Sequence, residues 1–317
     1  MNGIPGNIPA FGGNTMRPIS RRTLGGLFGG GLVSAWNPAR AMDPVRRTGK
    51  PLIKLAVAAY SLRQLLESKG GKPAAMTLEQ FAEFAAGLGL GAIEPTSYYF
   101  TDTSNAYMAR YKQFCTRLGL DISGTAVGND FTTPDAAKQK SQMAQVVAWI
   151  EKCSILGGKT IRIFAGNLPQ GETLQKAQQR CIGVIGEACD HAAKYGVILA
   201  LENHGGITAK ADDLLTLVRG INHANFGINL DNGNFHTADP YGDLEKLAPY
   251  AVVVQVKTEV QQAGKAKEPA DLKRLVTMLE KVSFRGYLAL EHEADEEPRE
   301  GVARAIGQLQ KLVGNQA

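Results

Sequence analysis

Residues 197–204 read Val197-Ile198-Leu199-Ala200-Leu201-Glu202-Asn203-His204. Five apolar residues in succession predict a strand that is buried on both faces, as strands of parallel sheets are. The acid, amide and imidazole that follow lie at the carboxyl end of this strand. Because ligands bind at the carboxyl ends of parallel strands, the stretch predicts a functional site on an α/β fold.

The same short apolar run recurs along the chain, and amphipathic helical patterns separate the runs. The predicted strands are residues 52–60, 91–94, 121–127, 159–164, 197–202, 226–231, 251–257 and 286–291. Eight strand–helix units match the α/β barrel, which typically takes about 250 residues. An open doubly wound sheet would carry a glycine-rich loop after its first strand, where this chain has Ser61-Leu62-Arg63. The sequence therefore predicts a single (β/α)8 TIM barrel over residues 51–317.

The N-terminal 41 residues carry a different signal. Ser20-Arg21-Arg22-Thr23-Leu24-Gly25 precedes a glycine-rich, weakly apolar stretch that ends at Ala39-Arg40-Ala41, a small-x-small cleavage pattern. Residues 1–41 resemble a twin-arginine export signal, and residues 42–50 then form a short linker. The resemblance implies a periplasmic or otherwise exported protein with the twin-arginine machinery as a partner. No permanent membrane anchor is expected, because the apolar stretch is shorter than the roughly 20 residues of a membrane span.

The charge balance argues against a nucleic-acid partner. The formal net charge is +5, from 35 Lys and Arg against 30 Asp and Glu. Residues 1–41 contain four arginines and no acid. The remainder of the chain is therefore close to neutral, whereas a phosphate backbone needs a basic surface.

Acidic side chains end four of the predicted strands, namely Glu94, Glu202, Asp231 and Glu291. In a barrel these ends meet at one mouth, so we expect the carboxylates to converge. Crowded carboxylates repel one another, and a divalent cation relieves that repulsion. A single strand-end acid is as compatible with a helix cap or an ion pair, but acids on four strands together indicate a metal site.

Alternation along the strands adds further candidates. The two-residue period places Glu202 and His204 on one face, and Gln255 and Lys257 on one face of the seventh strand. A site rich in oxygen ligands favours Mn²⁺, with Mg²⁺, Co²⁺ and Zn²⁺ as alternatives.

Four motifs stand out in the second half of the chain. They are Glu202-Asn203-His204-Gly205-Gly206, Leu230-Asp231-Asn232-Gly233-Asn234-Phe235, Gln255-Val256-Lys257 and the run from Gly286 to Glu291. Together they resemble the xylose isomerase-like barrel enzymes, the sugar phosphate isomerase/epimerase group. The resemblance extends from about Leu52 to the C terminus. It implies four metal ligands, Glu202, Asp231, Gln255 and Glu291.

The chain departs from the family pattern at two positions. Gln255 stands where the family has a histidine on the seventh strand. Asn234 stands where the family's Asp-x-x-His motif ends, three residues after Asp231. Gln255 can bind a metal only through its amide oxygen, and Asn234 can donate a hydrogen bond to a sugar hydroxyl but cannot titrate.

The resemblance implies a divalent-metal-dependent sugar isomerase or epimerase that acts on a ketose or keto-sugar through an enediolate. Glu202 and Glu291 are the expected proton-transfer pair. His204 and Lys257 are expected to polarise a substrate oxygen or to protonate a leaving group. The side chains expected to contact the substrate are Glu94, Arg162, Asn234, Tyr98 and Tyr99.

Two other functions stay open. The same enolate can expel a β-substituent, which would make the protein a keto-sugar lyase or dehydratase, and the two missing imidazoles favour that route. A non-catalytic sugar-binding barrel is the second alternative. In each case the expected partner is a small-molecule carbohydrate, and the sequence leaves a homo-oligomer open.

Overall fold

The computed structural model describes residues 42–68, 70 and 72–314 of the chain. The predicted export signal, residues 1–41, lies outside the described residues. Residues 42–50, predicted as a linker, have no regular secondary structure. Within them the Val45 backbone N–H donates to the Pro249 carbonyl, 3.0 Å away, and the Arg47 guanidinium donates to the Ala251 carbonyl.

The predicted barrel is confirmed. The strands are β1 (Leu52–Ala58), β2 (Ala92–Glu94), β3 (Asp121–Ile122), β4 (Thr125–Ala126), β5 (Thr160–Ile163), β6 (Ile198–Glu202), β7 (Phe226–Asp231), β8 (Ala251–Val256), β9 (Glu259–Val260), β10 (Glu268–Pro269) and β11 (Arg285–Leu290). Nine of them form one sheet in the order β3-β2-β1-β11-β8-β7-β6-β5-β4, and all its pairings are parallel. Strands β9 and β10 form a separate antiparallel hairpin.

The sheet closes where the third predicted strand is broken. Strands β3 and β4 lie at its two edges, yet only Ser123 and Gly124 separate them in the chain. A parallel bridge from Thr96, beyond β2, to Ala126 joins the edges a second time. Gly124 lies in the break, where a Cβ would lie 2.3 Å from the Thr160 hydroxyl oxygen and 2.9 Å from the Thr160 carbonyl oxygen, so a side chain has no space there.

Helices cover the outside of the barrel. They are α1 (Arg63–Leu66), α2 (Leu78–Gly87), α3 (Asn105–Arg117), α4 (Ala136–Leu156), α5 (Leu174–Ala193), α6 (Ala211–Ile221), α7 (Pro240–Leu247), α8 (Leu272–Lys281) and α9 (Pro298–Val313). A capping box begins α2: the Thr77 hydroxyl accepts from the Gln80 N–H, and the Gln80 side chain accepts from the Thr77 N–H. In the described part of the chain, no helix has the length and apolar character needed to cross a membrane.

The core has two unequal parts. Most buried apolar side chains lie in one cluster. A small second cluster consists of Ala56, Ala92, Tyr287 and Ala289. These residues lie on β1, β2 and β11 at alternate positions from the outward-facing Val57 and Leu288, so they fill the lower barrel interior. Three of the four are alanines, whose small size leaves space in the interior for polar side chains.

Gly124→Ala is expected to lower the free energy of unfolding by about 1–3 kcal/mol, because the new methyl group would overlap Thr160. Gly183→Ala is the control: Gly183 lies exposed in α5, and an added Cβ there meets nothing within 4 Å. The control is expected to raise the free energy of unfolding by roughly 0.5–1 kcal/mol through helix propensity. Urea unfolding followed by circular dichroism measures both. Equal stability of Gly124→Ala and the unmodified protein would contradict the close approach of Gly124 to β5.

Candidate active site

Three of the four strand-end acids meet at the mouth of the barrel. Glu202 ends β6, Asp231 ends β7, and Glu291 follows β11. Each is buried, with at most 5% of its surface exposed. Each offers a carboxylate oxygen, and these three atoms all lie within 4.8 Å of one another. We call these three residues the carboxylate triad.

The fourth acid, Glu94, lies in the barrel interior and contacts a different partner. Its carboxyl accepts a hydrogen bond from the Gln255 amide nitrogen at 2.8 Å. The Gln255 amide oxygen accepts from the Asn229 amide at 2.6 Å. Burial raises the pKa of Glu94, which favours its neutral form. Both ends of the Gln255 amide are therefore bonded to interior neighbours.

Lys257 brings a positive charge into the triad. Its Nζ lies 3.2 Å from Asp231 Oδ2, 3.4 Å from Glu291 Oε2 and 2.9 Å from Glu293 Oε1. It also donates to the Asn234 side-chain oxygen at 2.9 Å. Burial alone would lower the pKa of Lys257, but the surrounding carboxylates outweigh burial and raise it. Lys257 is therefore an ammonium ion at neutral pH.

Glu202 is oriented by two other side chains. Arg162 Nε lies 3.1 Å from one carboxylate oxygen, and Asn234 donates to the other oxygen at 2.7 Å. Arg162 is itself 96% buried, donates to the Val127 carbonyl at 3.3 Å and stacks its guanidinium 4.0 Å from the centre of the Phe164 ring. This support holds Glu202 in one orientation at the mouth.

The triad acids titrate near neutrality. Burial raises the pKa of Glu202 to about 7, although Arg162 opposes the shift. Burial also raises the pKa of Glu291 to about 7 and that of Asp231 to about 6, with Lys257 opposing both. Repulsion between the triad carboxylates adds to each shift. Acids with such pKa values can both accept and donate a proton near pH 7.

Two asparagines fix the backbone that carries these side chains. The Asn203 amide donates to the Asp231 carbonyl at 2.8 Å and accepts from the Asp231 N–H at 2.9 Å. Asn232 forms the same pair of bonds with the Lys257 backbone, at 3.1 and 2.6 Å. Sequence reasoning missed both residues. The available signal was that an asparagine follows the strand-end acid in both Glu202-Asn203 and Asp231-Asn232.

His204 lies at the rim, beyond the end of β6. Its ring packs against Phe164 with a centroid distance of 4.4 Å, and it lines a small rim pocket together with Asn129 and Asp130. The pKa of His204 is lowered by partial burial and by the nearby charges of Lys257 and Arg162. His204 is therefore neutral at pH 7.

The tyrosines predicted to contact the substrate occupy different environments. Tyr98 is 48% exposed, and its hydroxyl lies 3.5 Å from Arg162 Nη1. Tyr99 is 7% exposed and packs into the main core. Tyr60, which sequence reasoning did not select, lies half-buried after β1, and burial, Glu293 and Glu291 raise the pKa of its hydroxyl.

A polar pocket of about 190 Å³ opens beside Lys257. One wall comes from the β9–β10 hairpin region, and the other includes Asn234 and Glu293. His236 reaches this pocket, and its Nδ1 lies 3.2 Å from the Gln261 carbonyl. Glu202, Asp231 and Glu291 do not line this pocket, and Lys257, which does, contacts Asp231 and Glu291.

The triad suits a divalent cation. Carboxylate oxygens are the ligands that hard divalent ions prefer. Asp231 Oδ2 is fully buried, and Lys257 Nζ is the cation beside it, 3.2 Å away. Glu202, Asp231 and Glu291 would hold the ion. Gln255 could join them only by giving up its bond from Asn229.

A family model described as the xylose isomerase-like TIM barrel matches residues 82–312. No curated protein matches the chain by sequence. Solved structures show the same fold. The IOLI protein, which has a bound zinc atom, superposes with a TM-score of 0.68 at 19% identity, over 83% of this chain and 99% of that chain.

Two further solved structures carry enzyme names. The 3-keto-D-glucoside 4-epimerase YcjR from E. coli has a TM-score of 0.64 and 13% identity, over 82% of this chain and 99% of its own. The probable 3-DHS dehydratase AsbF from Bacillus anthracis has a TM-score of 0.62 and 16% identity, over 81% and 98% of the two chains. At these identities the likeness shows the fold alone.

The pKa shifts predict how stability depends on pH in a chelator-treated sample. Because the pKa values of Glu202 and Glu291 are raised in the native state, the native state binds more protons than the unfolded state between the ordinary carboxyl pKa and about 7. The free energy of unfolding that these groups contribute therefore falls as pH rises through that window. The double variant Glu202→Gln/Glu291→Gln is expected to gain stability relative to the unmodified protein between about pH 5 and pH 8.

Urea unfolding at a series of pH values measures the difference. Glu187→Gln, at an exposed position of α5, is the control. Its free energy of unfolding relative to the unmodified protein is expected to stay constant with pH. A double variant that loses stability relative to the unmodified protein as pH rises would contradict the raised pKa values.

Proposed function

Since the chain belongs to the xylose isomerase-like TIM barrel family, we propose that it is a sugar isomerase or epimerase that moves a proton next to the carbonyl of a ketose or keto-sugar. The observation that carries the proposal is the placement of Glu202 and Glu291 within one buried triad, both with a pKa of about 7. Acids with this property can remove and return a carbon-bound proton near neutral pH.

The proposed reaction begins with a sugar that enters by the pocket beside Lys257 and reaches the triad. Glu202 takes the proton from the carbon next to the carbonyl, and the electrons of the broken C–H bond pass to the carbonyl oxygen to give an enediolate. Glu291 is assigned the return of a proton to the opposite face of the same carbon, which inverts it. Return of the proton to the neighbouring carbon interconverts aldose and ketose instead.

Positive charge near the triad favours the enediolate. Arg162 is buried, Lys257 is largely buried, and both cations lie 3.1–3.4 Å from triad oxygens. Charge developing on a substrate oxygen is stabilised strongly when fixed charges and donors are already in place in a water-poor site. Asn234, which contacts both Glu202 and Lys257, is the proposed donor to a sugar hydroxyl.

A divalent ion bound by Glu202, Asp231 and Glu291 would add Lewis acidity at the carbonyl oxygen. Mn²⁺ is the proposed ion because the donor set is oxygen only, and Mg²⁺, Co²⁺ and Zn²⁺ are the alternatives. The three buried carboxylate oxygens, all within 4.8 Å of one another, support this assignment.

A lyase is the second candidate. The Lys257 ammonium lies 3.4 Å from Glu291 and at the pocket wall, where it could protonate a departing oxygen. In this route the C–O bond to the β-substituent breaks as the enediolate collapses, and the leaving group takes the proton. One solved structure of the same fold has the name of a dehydratase, an enzyme that eliminates water, and elimination is the reaction of this route. Product analysis separates it from epimerisation.

The site of action is proposed from the sequence of residues 1–41. The arginine pair at positions 21 and 22 and the cleavage pattern ending at Ala41 favour export by the twin-arginine route. An exported enzyme would meet unphosphorylated sugars. The carbohydrate partner is therefore proposed as a free or glycosidic sugar.

Incubation in D₂O with ketoses and 3-keto-glycosides tests the proposal. The unmodified protein is expected to place deuterium on a carbon next to the carbonyl. Glu202→Gln and Glu291→Gln are each expected to slow this exchange by about 10²–10⁴-fold, because a general acid or base is lost. A chelator is expected to slow it as well. NMR or mass spectrometry of the recovered sugar gives the readout.

Glu187→Gln is the matched control, since it makes the same change at an exposed position of α5. If no substrate exchanges deuterium, and Glu291→Gln binds sugar as well as the unmodified protein does, the enzyme proposal fails. The non-catalytic sugar-binding barrel then becomes the better account.

A further inference from the structure

We propose that the Lys257 ammonium is a built-in counter-ion of the carboxylate triad, which a divalent cation must displace, so that Lys257 sets the metal affinity of the site. The inference rests on the metal site of the proposed function and does not depend on the sugar chemistry. It starts from the position of Lys257 Nζ between Asp231, Glu291 and Glu293.

The ammonium and a divalent cation require the same oxygens. Lys257 Nζ lies 3.2 Å from Asp231 Oδ2 and 3.4 Å from Glu291 Oε2. Both carboxylates belong to the group of three that could hold an ion. A divalent ion would bind such oxygens at about 2.0–2.6 Å, which brings it close to the ammonium. Two cations this close in a buried site repel strongly, so they compete.

The chain shows why an ammonium is needed there. Gln255 stands where the resemblance expects a histidine, and its amide is bonded to Glu94 and Asn229 in the interior. The triad therefore has carboxylates on several sides and no neutral ligand directed at it from β8. Three buried carboxylates without a cation would be costly, and Lys257 lowers that cost.

The local structure holds Lys257 over the triad. Its backbone is fixed by the Asn232 amide, which bonds to both its N–H and its carbonyl. Its side chain packs on Gly233, where a Cβ would lie 2.6 Å from Lys257 Cδ. Gly233 therefore leaves the space through which the lysine reaches Asp231.

Lys257 also has partners away from the triad. Nζ lies 2.9 Å from Glu293 Oε1 and 2.9 Å from the Asn234 side-chain oxygen. The Glu293 side chain is 35% exposed and lines the pocket. When a metal takes the triad oxygens, the ammonium can keep Glu293 while it moves toward solvent. Displacement therefore does not leave an unpaired buried charge.

Metal titration of the full chain tests the inference. After chelator treatment and buffer exchange, isothermal titration calorimetry with MnCl₂ compares the unmodified protein with Lys257→Met, which keeps an apolar stem and removes the charge. Lys257→Met is expected to bind Mn²⁺ about 10–100-fold more tightly, because the competing positive charge is removed. Lys267→Met is the matched control, because Lys267 lines the same pocket and, among the residues that the structure describes, forms its ion pair with the partly exposed Glu259, 3.9 Å away. The control is expected to bind Mn²⁺ as the unmodified protein does.

Weaker or equal Mn²⁺ binding by Lys257→Met would overturn the inference. So would the absence of Mn²⁺ binding by both proteins, an outcome that would also remove the metal from the proposed function. Neither readout involves a sugar. Failure of deuterium exchange would therefore leave the inference standing.

A second measurement uses the unmodified protein, in case Lys257→Met does not fold. Lysines are acetylated with and without saturating MnCl₂ and located by mass spectrometry. Mn²⁺ is expected to increase acetylation of Lys257 several-fold relative to Lys267, because the ammonium leaves the buried triad. Unchanged acetylation of Lys257 at saturating Mn²⁺ would overturn the inference.

Discussion

Three buried carboxylates held within 4.8 Å of one another are the constraint on which the rest of the site depends. Like charges at this separation repel, and burial removes the water that would screen them. The surrounding residues reduce that cost. Lys257 and Arg162 supply positive charge, Asn234 supplies a hydrogen bond, and raised pKa values allow protonation of the acids near neutrality. The carboxylate triad therefore binds protons and cations favourably, because either reduces the repulsion between its acids.

The barrel holds the three carboxylates close together because it fixes the backbone that carries them. Strands β6, β7 and β8 are neighbours in the sheet, so consecutive strands bring their ends to the same part of the mouth. Beyond the strands, Asn203 and Asn232 replace ladder hydrogen bonds with side-chain amide bonds. The backbone of Asp231 and Lys257 is therefore held by neighbouring strands, while the side chains remain directed to the mouth.

The sequence predicted the strands well. It predicted less well where each side chain lies along the barrel axis and which residues it contacts. All the predicted barrel strands are present, and the third is split at Gly124, where contact with Thr160 leaves no space for a side chain. That contact joins residues far apart in the chain and has no local signal. Strand-end position identified Glu202, Asp231 and Glu291 as neighbours, because parallel strands end on one side.

Glu94 and His204 show where local patterns stop being informative. Glu94 pairs in register with Ala58 of β1, and the stagger of the strands places it among interior groups, bonded to Gln255. Stagger is set by long-range register, which a single sequence does not reveal. His204 lies two residues beyond the end of β6, and its ring packs against Phe164, a contact that no local pattern indicates. The shared ion pairs of Lys257 likewise depend on three separate elements.

The most direct test of the account is a crystal structure of the protein soaked in MnCl₂, with anomalous difference density used to locate manganese. We expect one strong peak about 2.0–2.6 Å from oxygens of Glu202, Asp231 and Glu291, with Lys257 Nζ withdrawn toward Glu293. An absence of anomalous density at the triad under saturating Mn²⁺, with Lys257 still between Asp231 and Glu291, would contradict it.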